Sequence, residues 1–569
     1  MHEPAAPTTV QQTIRRGEAV RQGSEQPYYA LEPGPGEAHR TRTELAPEGH
    51  PRAAGGSMAG DPAPGDPAPS DPAARNTAGW EAARGGRRSI AYLAHLTDIQ
   101  LTDVQSPARL EAMHQLGRRP DTALLLPMMR PQELLAAHAT DALVRALNRV
   151  AKSPETGAPL QLAVTTGDNV DNMQWNEVQS FLRLLEGGDV CMDSGGAAFE
   201  GVQDGRFPWA WAPDDPENLW GRAHGFPHVP GLLKAGLEPF VAAGLDIPWL
   251  TCYGNHDGLV QGRAPLTPEL GAVMTGHRKV HALPPGPVAD FTEHPLQTLS
   301  GPSHQVAPDQ GRRPVTREEF IEAHFQPSAR PSGHGLAERN LLDGTAYYAY
   351  DGLPGVRVIV LDTTNPAGIF EGSIDRRQLA WLEQSLAEVH VSHLDADGRE
   401  TAGGGDERLV IITSHHPRTS MTNDREVPAG HTDAGERALG EEVAAVLHRF
   451  PNVIAWVSGH IHRNSIRPLP SRSGGFWEIS TSSVMDWPCQ VRLLEIVDNN
   501  DGTLSIFSTA LDHEAPVQPE GTAGALELAA WHRELAANDP MGVGGFNAHG
   551  EAQDRNVELL LPDPRVRRR

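Results

Sequence analysis

The sequence predicts an α/β fold, and two observations carry that prediction. Five apolar runs, far apart in the chain, end in polar loops: Thr97-Asp98-Ile99-Gln100, Gly167-Asp168, Gly254-Asn255-His256-Asp257, Ser414-His415-His416-Pro417 and Gly459-His460-Ile461-His462. Strands of an α/β sheet deliver chemistry to their C-terminal edge in this way. Between the first two runs stands a helical stretch, which makes a βαβ unit. The organising stretch is Val164-Thr165-Thr166-Gly167-Asp168-Asn169-Val170-Asp171-Asn172, where a strand end followed by Gly-Asp puts Asp168 on a loop.

Taken in order, residues 1–45 form a polar N-terminal segment with one helix expected over 9–21. Residues 46–88 read as an Ala/Pro/Gly linker, because 47–74 carries too little apolar surface to fold by itself. The main domain is set at 89–511. Its first strand is 90–96, and Pro131 then opens a helix whose apolar face is Leu134, Leu135, Ala142, Leu143, Ala146, Leu147 and Val150. The second strand is 160–166, and a helix over 175–186 stops at Gly187-Gly188. Two long irregular insertions, 187–246 and 258–344, flank a third strand at 247–253; loops of such length usually form lids or substrate walls. In the second insertion, Thr316 and Glu319 have the spacing of a capping box. Strands follow at 346–350 and 356–361. Next come a helix carrying Gln378, Leu379, Trp381, Leu382 and Leu386, then strands at 409–413 and 453–457. A meander is expected over 476–481, 491–497 and 504–508, with turn chemistry at Asn500-Asp501-Gly502. Residues 512–569 form a C-terminal extension, mostly loop, with a helix over 525–536 and a solvated 567–569 arginine tail.

The totals exclude several classes. Lys plus Arg number 48 against 73 Asp plus Glu, a formal charge of −25, which argues against nucleic acid or an anionic membrane as partner. The lysines, Lys152, Lys234 and Lys279, never follow glycine, so there is no Walker A loop. Cys191, Cys252 and Cys489 show neither disulfide nor zinc-ribbon spacing. No stretch is apolar for long enough to span a bilayer, and no export signal is visible, so a cytoplasmic location is expected.

The loop residues themselves suggest a dinuclear centre. Two divalent cations about 3.5–4 Å apart need a ligand that reaches both, and a carboxylate does so. Asp168 is that candidate, with Asp98, Asn255, His415, His460 and His462 as further donors. In His460-Ile461-His462 the i and i+2 side chains can splay to different metals. A calcium loop at 168–172 is excluded by Val170 at its third position.

In this order the motifs resemble those of the calcineurin-like metallophosphoesterases: D-x-H, G-D-x-x-D/N, G-N-H-D/E, a histidine before a proline turn, and G-H-x-H. Asp98-Ile99-Gln100, Gly167-Asp168-Asn169-Val170-Asp171, Gly254-Asn255-His256-Asp257, His415-His416-Pro417 and Gly459-His460-Ile461-His462 match them. The likeness covers roughly 90–510 and includes the Gln378-Leu379-x-Trp381-Leu382 helix; the insertions and Asp486-Trp487-Pro488 resemble an actinobacterial-type branch.

The resemblance implies a four-layer sandwich of two mixed β-sheets flanked by helices. It also implies a hydrolase of phosphoric esters in which a metal-bridging hydroxide attacks phosphorus in line. By this likeness Asp98 and His462 would bind the first metal, Asn255, His415 and His460 the second, and Asp168 both, with Gln100 still able to ligate the first through its carbonyl oxygen. His256, oriented by Asp257, meets the leaving oxygen or the phosphoryl group. Gln100 stands where the family usually has histidine. Its carbonyl oxygen suits Mn or Fe over Zn, with Zn still admissible, and a branch similar to ADP-ribose and CDP-alcohol diphosphatases shares D-x-Q. Asp171, Asn172, His416 and Arg418 stand near the site, either at the substrate or merely packing.

A small phosphorylated substrate is the implied partner, a phosphodiester or nucleotide diphosphate ahead of a broad range of monoesters, because large insertions suit a larger leaving group. The rival is a catalytically weakened metal-binding or regulatory protein in which Gln100 has lost the first metal. His277, His281, His294, His304, His324 and His334 match no ligand spacing. Trp209, Trp211 and Trp220 are read as buried beneath the insertion rather than as pocket walls.

Overall fold

The computed structural model describes residues 8–50, 86–117, 122, 127–150, 152–472 and 474–566, so most of the 46–88 linker and the 567–569 tail lie outside the described residues. Thirteen strands build the two main sheets. In chain order they are β1 (Arg40–Arg42), β2 (Arg88–Leu96), β3 (Leu162–Thr165), β4 (Trp249–Leu250), β5 (Tyr348–Leu353), β6 (Val356–Leu361), β7 (Leu409–Ser414), β8 (Val453–Ser458), β9 (Ser465–Leu469), β10 (Phe476–Ser480), β11 (Gln490–Asp498), β12 (Thr503–Asp512) and β13 (Val557–Pro562). The helices that matter here are α1 (Ala136–Asn148), α2 (Trp175–Glu186), α3 (Arg376–Glu388), α4 (Gly440–Leu447) and α5 (Ala525–Asn538).

Both sheets are mixed. The seven-stranded sheet has the order β1-β13-β12-β11-β2-β3-β4, with β2, β3 and β4 parallel to one another and the β2-β11-β12-β13 run antiparallel. The six-stranded sheet has the order β5-β6-β7-β8-β10-β9, with β6, β7, β8 and β10 parallel. Strand alternation explains the layering. In β6, Val358 and Val360 join the apolar cluster that holds Leu93, Val164 and Ile496 of the other sheet. The next residues on the same strand, Ile359 and Leu361, turn the other way and pack with Leu382 and Leu386 of α3 and Val443 and Leu447 of α4. On the seven-stranded side, Leu143 and Leu147 of α1 and Val178, Phe181 and Leu185 of α2 complete the cluster. Each such side chain contributes about 1.5–3 kcal/mol by leaving water. The result is two mixed sheets flanked by helices.

Three sequence expectations change. The helix expected over 9–21 is a strand, Gln12–Arg21, paired antiparallel with Tyr28–Pro35. Gly17 disfavours a helix there, and Arg16 lies over the rings of Tyr29 and Phe546, so the tertiary partners decide the conformation. The N-terminal segment and the C-terminal extension are not appendages: β1 and β13 pair with each other and extend the seven-stranded sheet. The second insertion contains several short helices beyond the expected Arg317–Ala323, where Thr316 and Glu319 do form the capping box.

Trp211 and Trp220 pack with Tyr28, Phe226, Leu528 and Trp531, beneath the insertion as expected. Among the described residues, no helix is long and apolar enough to cross a membrane.

Candidate metal centre

The C-terminal ends of β2, β3, β4, β7 and β8 bring the five loops together. Asp98, Gln100, Asp168, His460 and His462 all adopt left-handed backbone, with φ of 52°, 45°, 50°, 67° and 50°. Non-glycine residues hold such angles only where the surroundings fix them. Here the loops are stitched to one another: Asp98 N donates to Gly167 O at 3.2 Å, Gln100 N to Asp168 O at 2.8 Å and Gly459 N to His415 O at 3.0 Å. Gly254 is required because a Cβ there would stand 2.3 Å from the Asp168 amide nitrogen.

In one half of the centre, His462 Nε2 lies 3.1 Å from Asp98 Oδ1, and Gln100 Nε2 lies 3.4 Å from Asp168 Oδ2. His462 Nδ1 is bound to Asp486 Oδ2 at 2.6 Å, and Asp486 is held in turn by Arg130 Nε at 2.7 Å. In the other half, His415 Nε2 is 3.2 Å from Asp168 Oδ2 and 3.2 Å from His460 Nδ1. His415 Nδ1 donates to Thr166 O at 2.8 Å, which leaves Nε2 as the inward donor atom. Asn255 Nδ2 donates to Gly262 O at 3.1 Å, fixing the amide so that its oxygen is the remaining ligand atom.

These residues fit a pair of divalent cations. Among the described residues, two buried oxygens, Gln100 Oε1 and Asn255 Oδ1, have no hydrogen-bond partner, and Asp98 Oδ1 has only the His462 ring; a buried acceptor left unpaired is costly unless something binds it. Donor atoms of Asp98, Asp168 and His415 all lie within 4.8 Å of one another. Burial disfavours charge on His415, yet Asp168 lifts it to about 9; His462 is likewise lifted to about 9 against burial, chiefly by Asp98. Without metal, protons on these two rings answer the carboxylates. His460 is pushed well below its ordinary value by burial and by His416 and His415.

His256 stands in the centre without being spent on a ligand position. Its amide donates to Asp168 Oδ1 at 2.8 Å, and its ring Nε2 lies 4.0 Å from Asp168 Oδ2. The residue that orients it is Asp171 rather than Asp257. His256 Nδ1 donates to Asp171 O at 2.7 Å, with Asp171 Oδ1 at 3.3 Å. Asp257 folds back onto the backbone and accepts from Gly254 N, Asn169 N, Val170 N and Asn169 Nδ2 at 2.8–3.2 Å, which rigidifies the two loops.

The remaining sequence candidates have partners outside the donor set. His416 lies near enough to His415 and His460 to join a metal cluster, but Thr363 Oγ1 at 2.7 Å and Phe370 O at 2.8 Å occupy both ring nitrogens. Arg418 pairs through Nη1 with the exposed Glu441, and its amide donates to Glu478 Oε1 at 3.0 Å. Asn172 Oδ1 accepts from Gln261 N at 2.9 Å. Sequence reasoning missed the roles of Asp486 and Arg109. Asp486 lies in the noted Asp-Trp-Pro run, which marked it without giving it a partner, and nothing marked Arg109, whose Nε is 3.4 Å from Asp171 Oδ2. Among the described residues, the metal-compatible clusters are confined to this centre, so the insertion histidines form none.

No family model matches the sequence, and no curated protein matches it. Solved structures do. A dimetal phosphatase from Danio rerio is 12% identical with a TM-score of 0.34, over 75% of this chain and 100% of that one. A purple acid phosphatase from yellow lupin (Lupinus luteus) seeds is 10% identical with a TM-score of 0.28, over 74% of this chain and 51% of that one. Sulfate thiohydrolase SoxB from Thermus thermophilus is 13% identical with a TM-score of 0.26, over 79% of this chain and 60% of that one.

Proposed function

We propose that this chain is a dimetal-dependent hydrolase of phosphoric esters, with a phosphodiester or nucleotide diphosphate as the favoured substrate. Asp98, Gln100 and His462 would hold one cation and Asn255, His415 and His460 the other, with Asp168 shared between them. The oxygen-rich first set favours Mn or Fe over Zn. When bound, the cations supply charge neutralisation for the phosphoryl oxygens and a water acidified towards neutral pH.

His256 is the observation that carries the reading. A purely structural metal site has no use for an unliganded imidazole held in the middle of its donors, whereas an acid at a leaving oxygen needs that placement. The Nδ1–H bond to Asp171 O fixes the ring and turns Nε2 towards the Asp168 side of the centre. Beside this turn, a cavity of about 830 Å³ lined by Tyr253, Gly258, Leu259, Leu266, Arg317 and Arg425 offers room for a sizeable leaving group.

The test is metal content together with hydrolysis of an aryl phosphodiester and an aryl monoester after chelation and return of Mn, Fe or Zn. Two metals per chain and metal-dependent turnover, faster on the diester, are expected. His256→Ala should keep both metals and lose about 10²- to 10⁴-fold in kcat. One metal or none, with no turnover under any ion, would sink the proposal in favour of the binding-protein reading.

A further inference from the structure

We propose that Arg109 is a positioning residue for His256, acting through Asp171, and that Lys279 of the second insertion frees it for that task by answering Glu111. The inference deepens the hydrolase reading and rests on it for the role of His256.

Asp171 faces the ring of His256 with its carbonyl oxygen, 2.7 Å from Nδ1, and with Oδ1 at 3.3 Å. Its other carboxylate oxygen, Oδ2, meets Arg109 Nε at 3.4 Å. Among the described residues neither Oδ2 nor Nε forms a hydrogen bond, so this ion pair is the contact the two atoms share. Burial works against charge on Asp171, yet Arg109, followed by His256 and Arg130, holds it down at about 2.

Arg109 is aimed by its other contacts. Nη1 and Nη2 meet Glu133 Oε1 and Oε2 at 2.5 and 2.9 Å, and Nη2 also donates to Met128 O at 3.2 Å. Two parallel bonds fix the plane of a guanidinium. Nε is then the edge turned to Asp171. The same segment is tied to the Asp171 loop a second time, since Leu110 N donates to Gln261 Oε1 at 2.5 Å and Gln261 N to Asn172 Oδ1 at 2.9 Å.

Glu111 competes for this guanidinium. Its Oε1 lies 3.5 Å from Arg109 Nη1, and both side chains are buried. Lys279 settles the competition. Its ammonium, 0% exposed, pairs with Glu111 Oε2 at 2.8 Å and donates to Val104 O at 3.0 Å and Ser106 O at 2.9 Å. Three N–H groups thus meet three acceptors, and lysine is rarely buried in full without such a set. It arrives on a short strand, Arg278–Val280, paired antiparallel with Ser303–Gln305, both inside the second insertion. Along Lys279, Glu111, Arg109 and Asp171 the charges alternate. Removing the lysine leaves an unanswered buried carboxylate beside Arg109, and the guanidinium is then drawn from Asp171.

The experiment uses the full metal-loaded chain, with metal content, kcat and KM on an aryl phosphodiester, and crystal structures of the variants as readouts. R109K should lower kcat about 10- to 100-fold at unchanged KM and metal content, and should cost less than about twofold in the His256→Ala background. K279M should act in the same direction, and K279M/E111Q should recover most of that loss, because Glu111→Gln removes the charge that draws Arg109 away. In crystals of R109K and K279M the His256 ring should be turned from its place against Asp171, and in K279M/E111Q it should return. An R109K loss that persists in full in the His256→Ala background, a K279M/E111Q variant no better than K279M, metal lost from both single variants, or an unmoved ring in both would each overturn the proposal. If the parent hydrolyses no ester, the hydrolase reading falls and the ring position in the variant crystals still decides this assignment. Turnover by the parent with an unmoved ring in both single variants does the reverse.

Discussion

His462 is backed by an ionic chain, whereas Asn255 and His415 are backed by neutral carbonyls. Behind His462 stands Asp486, and behind Asp486 stands Arg130. Behind His415 stands only Thr166 O, and behind Asn255 only Gly262 O. A carboxylate at the outer nitrogen raises the basicity of a ligating imidazole; a carbonyl mainly sets its orientation. The difference follows the ligand count. On the ligand set proposed above, the first half would have glutamine in place of a second imidazole, and its one imidazole is the ring with a carboxylate behind it.

If that reading holds, Asp486→Asn should have the largest effect on the comparison. First-site metal affinity is expected to fall about 10- to 100-fold while the second metal stays, so that metal analysis after dialysis moves from two per chain towards one. Equal loss from both sites would erase the distinction. Gln100→His should act in the opposite direction and more modestly, tightening the first metal and shifting its preference towards Zn. Competition between Mn and Zn at limiting metal reads this directly, and an unchanged preference would remove Gln100 from the ligand set.

The smallest expected effect is common to both halves and belongs to the metal-free protein. His415 and His462 are each raised to about 9, above the unfolded value of about 6.5. Their contribution to stability is therefore fully present below about pH 6.5 and is lost as pH rises through about 9. Thermal midpoints of the chelated protein should decline over that window, and a flat profile would mean that the carboxylates do not hold those protons. Both metals require the unprotonated rings, so the loaded protein should not follow the same curve.

The loops were legible because strand ends and metal-ligand residue types are local patterns; Asp98, Asp168, Asn255, His415, His460 and His462 all stand just beyond strand ends. The supporting contacts were not. Asp257 adjoins His256 in sequence, yet its carboxylate turns back to four N–H donors, and Asp171, from the β3 loop, takes the ring nitrogen. Asp486 acquires meaning only from the loop it faces. The N-terminal hairpin failed for a related reason: its strand character comes from Tyr28–Pro35 and from Phe546, contacts that no local window contains. The fold followed from patterns within segments, and the unread part of the site follows from contacts between them.

The pairing of β1 with β13 bears on how this protein tolerates being shortened. Residues 40–42 and 557–562 lie side by side, and β13 in turn covers β12. Trimming to the apparent domain of 89–511 would strip both strands and bare the backbone hydrogen-bonding edge of β12, together with the apolar side chains now under Leu559 and Leu561. An uncovered, apolar edge strand recruits other chains. Polar ends that look dispensable in the sequence thus act as the guard against self-association.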